Sequence, residues 1–217
     1  FLGGGLLTYV GFQAWFIVRE EKTRRKNEDE LRESRRRLAD IIDFLPDATL
    51  VIDREGKVVA WNRAIEEMTG VNAQDVLGKG DYEYGLPFYG ERRPILIDLV
   101  FLPHDEIKNK YVDLEWKGST LVGIAVIKEL KGRTGVILHG TASILKDSAG
   151  NVVGAIESIR DITDRVRAEE AVKESQRRLA DIIDFLPDAT LVVNREGRVV
   201  AWNRAIEMMT GVPADEM

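Results

Sequence analysis

Residues 38–76 read LADIIDFLPDATLVIDREGKVVAWNRAIEEMTGVNAQDV, and residues 179–217 read LADIIDFLPDATLVVNREGRVVAWNRAIEMMTGVPADEM. The second stretch begins 141 residues after the first and differs from it mainly by conservative exchanges. A repeat of this kind, with other sequence between its two copies, indicates a tandem of similar modules joined by linkers. The chain therefore carries one whole module and the beginning of a second.

The local signals inside this repeat predict a hairpin followed by a helix. Two short β-branched or apolar runs, 49–53 and 57–61, are separated by a turn in which Gly56 can adopt the left-handed conformation. The side chain of Asn62 can then cap a helix, and Gly70 can end it. Trp61, which recurs at Trp202, is assigned to packing.

A second helix is predicted to start near Pro94, which suits a first turn. It should bury Ile95, Leu99 and Leu102 on one stripe, and Asp98 should face away from the core. Three strand-like runs follow, separated by turn residues. They cover residues 121–130, 134–146 and 152–161. This order predicts an α+β fold with a five-stranded antiparallel sheet, short helices on one face and linker helices at both ends.

These residues resemble the PAS family. The likeness rests on FLPDATLVIDREGKVVAWNRAIEEMTG at the front, on LKDSAGNVVGAIESIRDIT at the back and on the order of the elements between them. It covers roughly residues 36–164 and, again, 177–217. Asp161 and Thr163 look like parts of the short motif that joins a PAS domain to its outgoing helix, and both can cap a helix that begins near Asp164. The resemblance implies a sensor, and the version of the domain implies a histidine kinase further along the chain.

The first eighteen residues predict a truncated transmembrane helix. Only Thr8 and Gln13 are clearly polar among residues 1–18, and a basic segment follows. An excess of Lys and Arg beside a span marks its cytoplasmic side. The expected organisation is a membrane helix at 1–18, a basic linker at 19–45, a sensor domain at 46–163, a linker helix at 164–186 and a partial second domain at 187–217. The expected location is the cell membrane, with the sensor in the cytoplasm.

Each copy of the repeat is preceded by apolar residues at heptad spacing, here called the seam. The seam consists of Leu31, Leu38, Ile41 and Leu45 in the first linker and of Ala168, Val172, Leu179, Ile182 and Leu186 in the second. Such spacing favours a short coiled coil and hence a homodimer. Ser34 and Ser175 interrupt the seam, which would leave the pairing marginal and suited to relay a signal. A single helix lying on its own domain is the alternative.

Composition excludes several classes of function. The net charge of −6 argues against a nucleic-acid binder, since little would offset phosphate repulsion. The absence of cysteine excludes disulfides, thiolate metal sites and a flavin–cysteine adduct. Neither the phosphate-cradling, zinc-protease and nucleophile-elbow motifs nor a kinase phosphoacceptor context occurs in these residues. The chain is therefore not expected to be an enzyme by itself, and no resident cofactor is expected.

Aromatic residues before the second helix form the candidate ligand site. Tyr84, Phe88, Tyr89 and Arg92 could line a pocket for an aromatic or carboxylate-bearing metabolite, or the aromatic side chains could simply fill the core. His104 could be a haem ligand in a redox or gas sensor, although a solvated loop histidine is the simpler account.

Three hypotheses of function remain open at this stage. The first is a sensory relay in a membrane-anchored receptor, the second is a ligand-free spacer and dimerisation module, and the third is a haem-based sensor. In the relay, Asn62, Asp161, Thr163 and Ser175 are the residues expected to connect the module to its linkers. The partners implied are a second copy of the chain, the membrane and a kinase domain in the same polypeptide.

Overall fold

The computed structural model describes the backbone of residues 3–103 and 114–216, and the side chains of residues 19–22, 24–103, 114–214 and 216. The chain divides into two compact units, Phe1–Asp161 and Ile162–Met217. Each unit is described by itself.

The first unit is an antiparallel sheet preceded by a long helix and interrupted by short helices. Its strands lie in the order β2-β1-β6-β5-β4-β3, so that the first and last strands of the domain pair in the middle of the sheet. The elements are α1 (Gly3–Asp43), β1 (Ala48–Asp53), β2 (Val58–Trp61), α2 (Arg63–Thr69), α3 (Ala73–Val76), α4 (Leu86–Tyr89), α5 (Leu96–Leu99), β3 (Leu114–Lys117), β4 (Thr120–Leu130), β5 (Arg133–Lys146) and β6 (Val152–Asp161).

The α+β fold and all five predicted strands are confirmed, and the structure adds a sixth strand, β3. This strand has four residues, and only Leu114 and Trp116 in it are apolar, so its alternation is too short to stand out in the sequence. It pairs with β4 through the register Lys117↔Thr120, across a turn in which Gly118 has a φ of 64°. A backbone at that angle favours glycine.

The core lies between one face of the sheet and the short helices. In β5 the side chains of Val136, Leu138 and Ala142 are buried at every second position, as the alternation predicts. The helices and the turn before them contribute the other half of the core. Their fully buried side chains include Ile65, Tyr84, Phe88, Ile97 and Leu99.

The second helix of the prediction is much shorter than expected. Helix α5 has four residues with Ile95 at its N-cap, so Pro94 precedes the helix instead of occupying its first turn. Ile95 and Leu99 are buried as predicted. The prediction that Asp98 faces away is wrong, because its Oδ2 accepts the Ile95 amide at 2.8 Å and its Oδ1 accepts the Tyr84 hydroxyl at 2.5 Å.

The second unit repeats the beginning of the first. It comprises α6 (Thr163–Phe185), β7 (Leu191–Val193), β8 (Val199–Trp202) and α7 (Arg204–Thr210). The register Leu191↔Trp202 corresponds to Leu50↔Trp61 in the first unit. The caps predicted for α2 are confirmed in both copies: Asn62 and Asn203 accept the amide three residues on, and Gly70 and Gly211 take the left-handed conformation.

The two linker predictions concern the start of the outgoing helix and the apolar segment 1–18. Helix α6 starts at Thr163 with Ile162 at its N-cap position, so Thr163 is the first helical residue and the predicted start near Asp164 is one residue late. The apolar segment 1–18 lies outside the residues whose side chains are described. Among the described residues, no helix combines the length and the apolar character needed to cross a membrane.

Candidate functional site: a cavity beside a buried acid

A cavity of about 70 Å³ lies between helices α4 and α5 and strands β3 to β6. Its walls are mostly apolar, and Phe88, Leu96, Leu99, Leu138 and Ile159 supply much of them. A single water needs about 10–15 Å³ measured in this way, so the space corresponds to roughly five water-sized positions. The site suits a molecule of a few non-hydrogen atoms.

Two glycines in the sheet make room for leucine side chains that line the cavity. Gly123 in β4 and Gly140 in β5 are register partners, so two neighbouring positions on the sheet carry no side chain. A β-carbon on residue 140 would lie 2.7 Å from Cδ2 of Leu96, and one on residue 123 would lie 2.5 Å from Cδ2 of Leu114. Both distances are too short, so the leucines lie where larger residues would otherwise project.

Glu157 is the one carboxylic or basic side chain among the described residues that line the cavity. It lies in β6 between Leu50 and Ala142 in register and is 4% exposed. Its Oε2 accepts the Ile97 amide of α5 at 3.0 Å. Its Oε1 lies 3.0 Å from the point that a β-carbon on residue 140 would occupy, on the side of the cavity.

Burial controls the ionisation of this group. Loss of hydration raises the pKa of Glu157 to about 8, the Ile97 hydrogen bond opposes this rise, and the nearby Asp98 carboxyl adds to it. The side chain is therefore mostly protonated at neutral pH. A protonated carboxyl can donate a hydrogen bond into the cavity, and an ionised one can bind a cation.

Asp98 and Tyr84 form a second polar pair behind the cavity wall. Burial raises the pKa of Asp98, whereas the hydrogen bonds from Tyr84 and Ile95 lower it. Burial is also the main cause of the raised pKa of the Tyr84 phenol, and its bond to Asp98 adds to the effect. Both oxygens of Asp98 thus have partners, and its remaining influence on the cavity is electrostatic.

The cavity opens to solvent beside Tyr89 and Ile124. Both residues line it and are 37% and 49% exposed, respectively. The guanidinium carbon of Arg93 lies 4.6 Å from the centre of the Tyr89 ring, in the geometry of a cation–π contact.

The structure separates the predicted ligand residues. Phe88 and Tyr89 line the cavity, but Tyr84 is fully buried and belongs to the core. Arg92 is exposed and pairs with Glu83 at 2.5 Å, so its guanidinium is not part of the cavity wall. Its predicted role in holding a carboxylate is not supported by this placement. His104, the candidate haem ligand, lies outside the described residues.

Sequence reasoning missed Glu157, although the sequence holds a signal for it. In β6 the buried alternate positions include Ala155, Glu157 and Ile159. An acid therefore occupies a position at which the alternation predicts an apolar core residue. Asp98 could not have been found in this way, because its position depends on where the short α5 begins. The described residues contain no group of three or more His, Cys, Asp and Glu that could hold a metal.

A second set of polar contacts surrounds the point where the chain enters the sheet. The Asn62 Oδ1 accepts the amides of Thr49 and Ile65 at 2.8 and 3.0 Å. Its Nδ2 lies within hydrogen-bond distance of three carbonyls at the end of α1 and after it. These carbonyls belong to Ile42 (3.2 Å), Leu45 (3.2 Å) and Asp47 (3.0 Å). One side chain thus connects the linker helix, the sheet and α2.

Charged pairs complete this set, here called the junction. The carboxylate of Asp47 accepts hydrogen bonds from Nε and Nη2 of Arg160 at 2.9 and 2.6 Å. Asp161 accepts Nη1 of Arg133 at 2.6 Å. The junction therefore holds the segment before β1 against the end of β6.

The second repeat reproduces the part of the junction that its sequence contains. Asn203 accepts the Thr190 amide at 2.8 Å and donates to the carbonyls of Leu186 and Asp188 at 3.2 and 3.0 Å. Arg204 and Arg63 also donate their amides to equivalent acids, Asp184 and Asp43. The attachment of linker to domain is therefore a property of the module.

Comparison with known proteins places both repeats in one family. The model described as PAS fold matches residues 36–84 and 177–217. Over 186 residues the chain is 27% identical to phytochrome D of Arabidopsis thaliana, and over 198 residues it is 27% identical to a phytochrome of Picea abies. These alignments cover 84% and 87% of this chain but only 15% and 16% of those proteins, so the chain spans about a sixth of their length.

Two of the similar solved structures come from bacteria. The PAS domain of Bordetella pertussis BvgS is 24% identical, with 68% of this chain and 98% of that one covered and a TM-score of 0.43. A sensory box sensor histidine kinase from Vibrio cholerae is 15% identical, with 63% and 98% covered and a TM-score of 0.37.

Proposed function

The chain belongs to the PAS family, and from this premise we propose that its first unit is a sensory module that binds a small molecule in the cavity and relays binding to its linker helices. The observation that carries the proposal is Glu157, a buried acid at the wall of an otherwise apolar cavity. Burying an acid costs free energy unless a partner compensates for it. The position of this acid at a cavity wall supports a role in binding.

The route from the cavity to the linkers is short. Glu157 lies in β6, three residues before Arg160, which pairs with Asp47 ahead of β1. Strand β6 ends at Asp161, and α6 begins at Thr163. A ligand that shifts β6 would therefore act on both linkers, directly on the outgoing one and through the junction on the incoming one. Such a relay needs two states that differ by only a few kcal/mol.

We assign the output to pairing of the linker helices in a homodimer. In α1 the seam residues Leu38 and Ile41 are 59% and 61% exposed, so their own unit does not cover them. In α6, Leu179 and Ile182 are 58% and 60% exposed. Apolar side chains at heptad spacing can be buried by a second copy of the same helix.

In the complete protein we place this module in a membrane-anchored receptor. The apolar segment 1–18, followed by basic residues, would be the anchor, and the PAS region would lie on the cytoplasmic side. A histidine kinase domain in the same polypeptide would be the output, and residues 1–217 would have no catalytic activity of their own. A nucleic-acid partner is not part of this proposal.

The test is thermal unfolding of the full chain with a set of small molecules of up to about six non-hydrogen atoms, the size that the cavity admits. The matched variant is Gly140→Ala, whose β-carbon would occupy the space beside Leu96 and Glu157. We expect at least one molecule to raise the Tm of the wild type and to lose this effect in the variant.

If no molecule in the set raises the Tm of either protein, the result would favour the ligand-free spacer and dimerisation module. That function requires only the exposed seams. The haem alternative has its own check, since haem added to the full chain should give no Soret band of a ligated iron. The cavity described here is far below the roughly 300–1,000 Å³ of pockets for larger ligands.

A further inference from the structure

The nature of the ligand follows from the groups that face the cavity, if the sensory function proposed above is correct. We propose that the cavity binds a short alkylammonium ion, a primary amine with about four carbons, whose charged head pairs with Glu157 and whose tail lies among Phe88, Leu96 and Leu138.

The first argument is charge. Among the described residues that line the cavity, the one carboxylic or basic group is an acid, and the half-buried Asp98 acts on it electrostatically. Asp98 is not among the residues that line the cavity, and its two oxygens already accept Tyr84 and Ile95. An anionic ligand would therefore lie near two acids. Of the two neighbouring arginines, Arg92 pairs with Glu83 and Arg93 lies over the Tyr89 ring, and neither lines the cavity. A cation is the ligand whose charge these residues complement.

The second argument is the position of Oε1, the carboxyl oxygen of Glu157 that does not accept the Ile97 amide. Glu157 has one hydrogen-bond partner for Oε2, the Ile97 amide, and Oε1 lies toward Gly140 on the side of the cavity. Because Glu157 and Gly140 both line the cavity, a donor inside it can approach this oxygen. An ammonium group offers three donors on a compact head, so one of them can reach Oε1.

The third argument is size and shape. The cavity of about 70 Å³ corresponds to roughly five non-hydrogen atoms, and its apolar walls suit a short hydrocarbon tail. Arginine-like or aromatic cations would exceed this volume. Isobutylamine has five non-hydrogen atoms and combines the required charge and tail.

Binding must move a proton, and this gives a specific signature. The free protein holds the Glu157 proton at neutral pH, and the amine arrives as an ammonium ion. On pairing, the O–H bond of Glu157 breaks, the carboxylate remains against the ammonium, and the proton passes to the solvent. The titratable groups that act on Glu157 from the packed elements are Asp98 on α5 and Tyr84 before it. The Tyr84 phenol already carries its proton, and both oxygens of Asp98 already accept hydrogen bonds, so neither is expected to take up the proton.

The experiment is calorimetric titration of the full chain with isobutylamine at neutral pH in two buffers with different ionisation enthalpies. The parallel probes are isobutanol, which is neutral, and isobutyrate, which is an anion. We expect isobutylamine to bind with release of about one proton and the two other probes to bind at least about tenfold more weakly. Glu157→Gln keeps an acceptor for the Ile97 amide and should weaken the binding of isobutylamine by a similar factor. Glu115→Gln, at an exposed position, should leave the affinity for isobutylamine unchanged.

Binding of the amine to Glu157→Gln as tightly as to the wild type, or binding without proton release, would overturn the ammonium assignment. Tighter binding of isobutanol or isobutyrate than of the amine would also overturn it, but would leave the sensory function in place. If none of the three probes binds and no molecule of the thermal unfolding set raises the Tm, the ammonium assignment and the sensory function both fail.

Discussion

Asp47 and Arg160 form a bidentate ion pair in which Nε lies 2.9 Å from Oδ1 and Nη2 lies 2.6 Å from Oδ2. The two residues are 113 positions apart in the chain. The pair joins the turn before the first strand to the end of the last strand, so the incoming and outgoing segments of the domain are held together at one end of the sheet.

This pair should couple the two segments without adding much stability. The side chains are 29% and 65% exposed, and solvent-exposed pairs contribute about 0–1 kcal/mol. In a double-mutant cycle of Asp47→Asn and Arg160→Gln, monitored by urea unfolding, we expect a coupling free energy in that range that decreases as salt is added. The exposed pair Arg165–Glu169 serves as a reference. A coupling of several kcal/mol, or one unaffected by salt, would contradict this account.

Asn62→Asp should detach the incoming helix while leaving the cap of α2 intact. The new carboxylate still accepts the Thr49 and Ile65 amides, but an oxygen replaces the amide group that faces the carbonyls of Ile42, Leu45 and Asp47. Lost donors and carbonyl–carboxylate repulsion should lower the free energy of unfolding by about 2–4 kcal/mol.

Hydrogen exchange provides the local measurement for this variant. We expect the amides of Phe44 and Leu45, which close the last turn of α1, to exchange faster, and the amide of Ile65 to stay protected. Asn62→Ala is the comparison, since it removes the donor and the acceptor together and should expose both regions. Unchanged protection at Phe44 and Leu45 in Asn62→Asp would show that the side chain does not hold the helix.

Glu157→Gln should remove most of the pH dependence of stability between about pH 4.5 and pH 8. The folded-state pKa of Glu157 is about 8, above the ordinary value of 4.5 expected in the unfolded chain, so the folded state binds more protons across this window. The free energy of unfolding is therefore highest below pH 4.5 and falls as the pH rises, by up to about 1.4 kcal/mol per pH unit.

Urea unfolding of the wild type and of Glu157→Gln across this pH range tests the predicted loss of pH dependence. Glutamine has the shape of the protonated acid and no charge, so the two proteins should be similar at low pH and the variant more stable by a few kcal/mol near pH 8. A smaller slope should persist in the variant, since burial raises the pKa of Asp98 in the same direction. Parallel curves for the two proteins would mean that Glu157 is not the titrating group.

Ser175→Leu should strengthen self-association through α6. Ser175 lies at a seam position of an exposed helix, and an apolar side chain there would add buried area between two paired helices. Sedimentation of the full chain should show a higher fraction of dimer at equal concentration. Arg177→Leu adds the same side chain off the seam and should have little effect. Equal dimer fractions in Ser175→Leu and the wild type would argue against pairing along this seam.

If the chain is part of a receptor as proposed, Ser175→Leu should also favour one output state of that receptor. If the relay works through a marginal seam, removal of the serine biases the equilibrium toward the paired helices. The measurement is the output activity with and without the cue, and an unchanged response would count against the relay.

Much of the fold could be predicted because its signals are local. The turn at Gly56, the Asn62 cap and the alternation in β5 each depend on neighbouring residues, and all three appear as predicted. Strand β3 was missed because only four residues carry its pattern. The length of α5 was wrong because its apolar residues fit a longer helical stripe equally well, while the chain leaves the helix after Leu99.

The candidate site could be predicted only in part. Phe88 and Tyr89 line the cavity, as one of the two predicted alternatives had it, and Tyr84 fills the core, as the other had it. The partners of Arg92 and Tyr84, which are Glu83 and Asp98, are selected by the path of an irregular segment, which no periodic pattern describes.

The sequence by itself determined the repeat, the class of fold and the caps and turns, since each of these depends on interactions between residues close together in the chain. The tertiary structure decided the site, because it brings Glu157 next to Ile97 and Gly140 and makes Asp47 the partner of Arg160. The physical reason is that burial and long-range pairing set the ionisation of an acid and the volume of a cavity, and both are established only when distant strands meet.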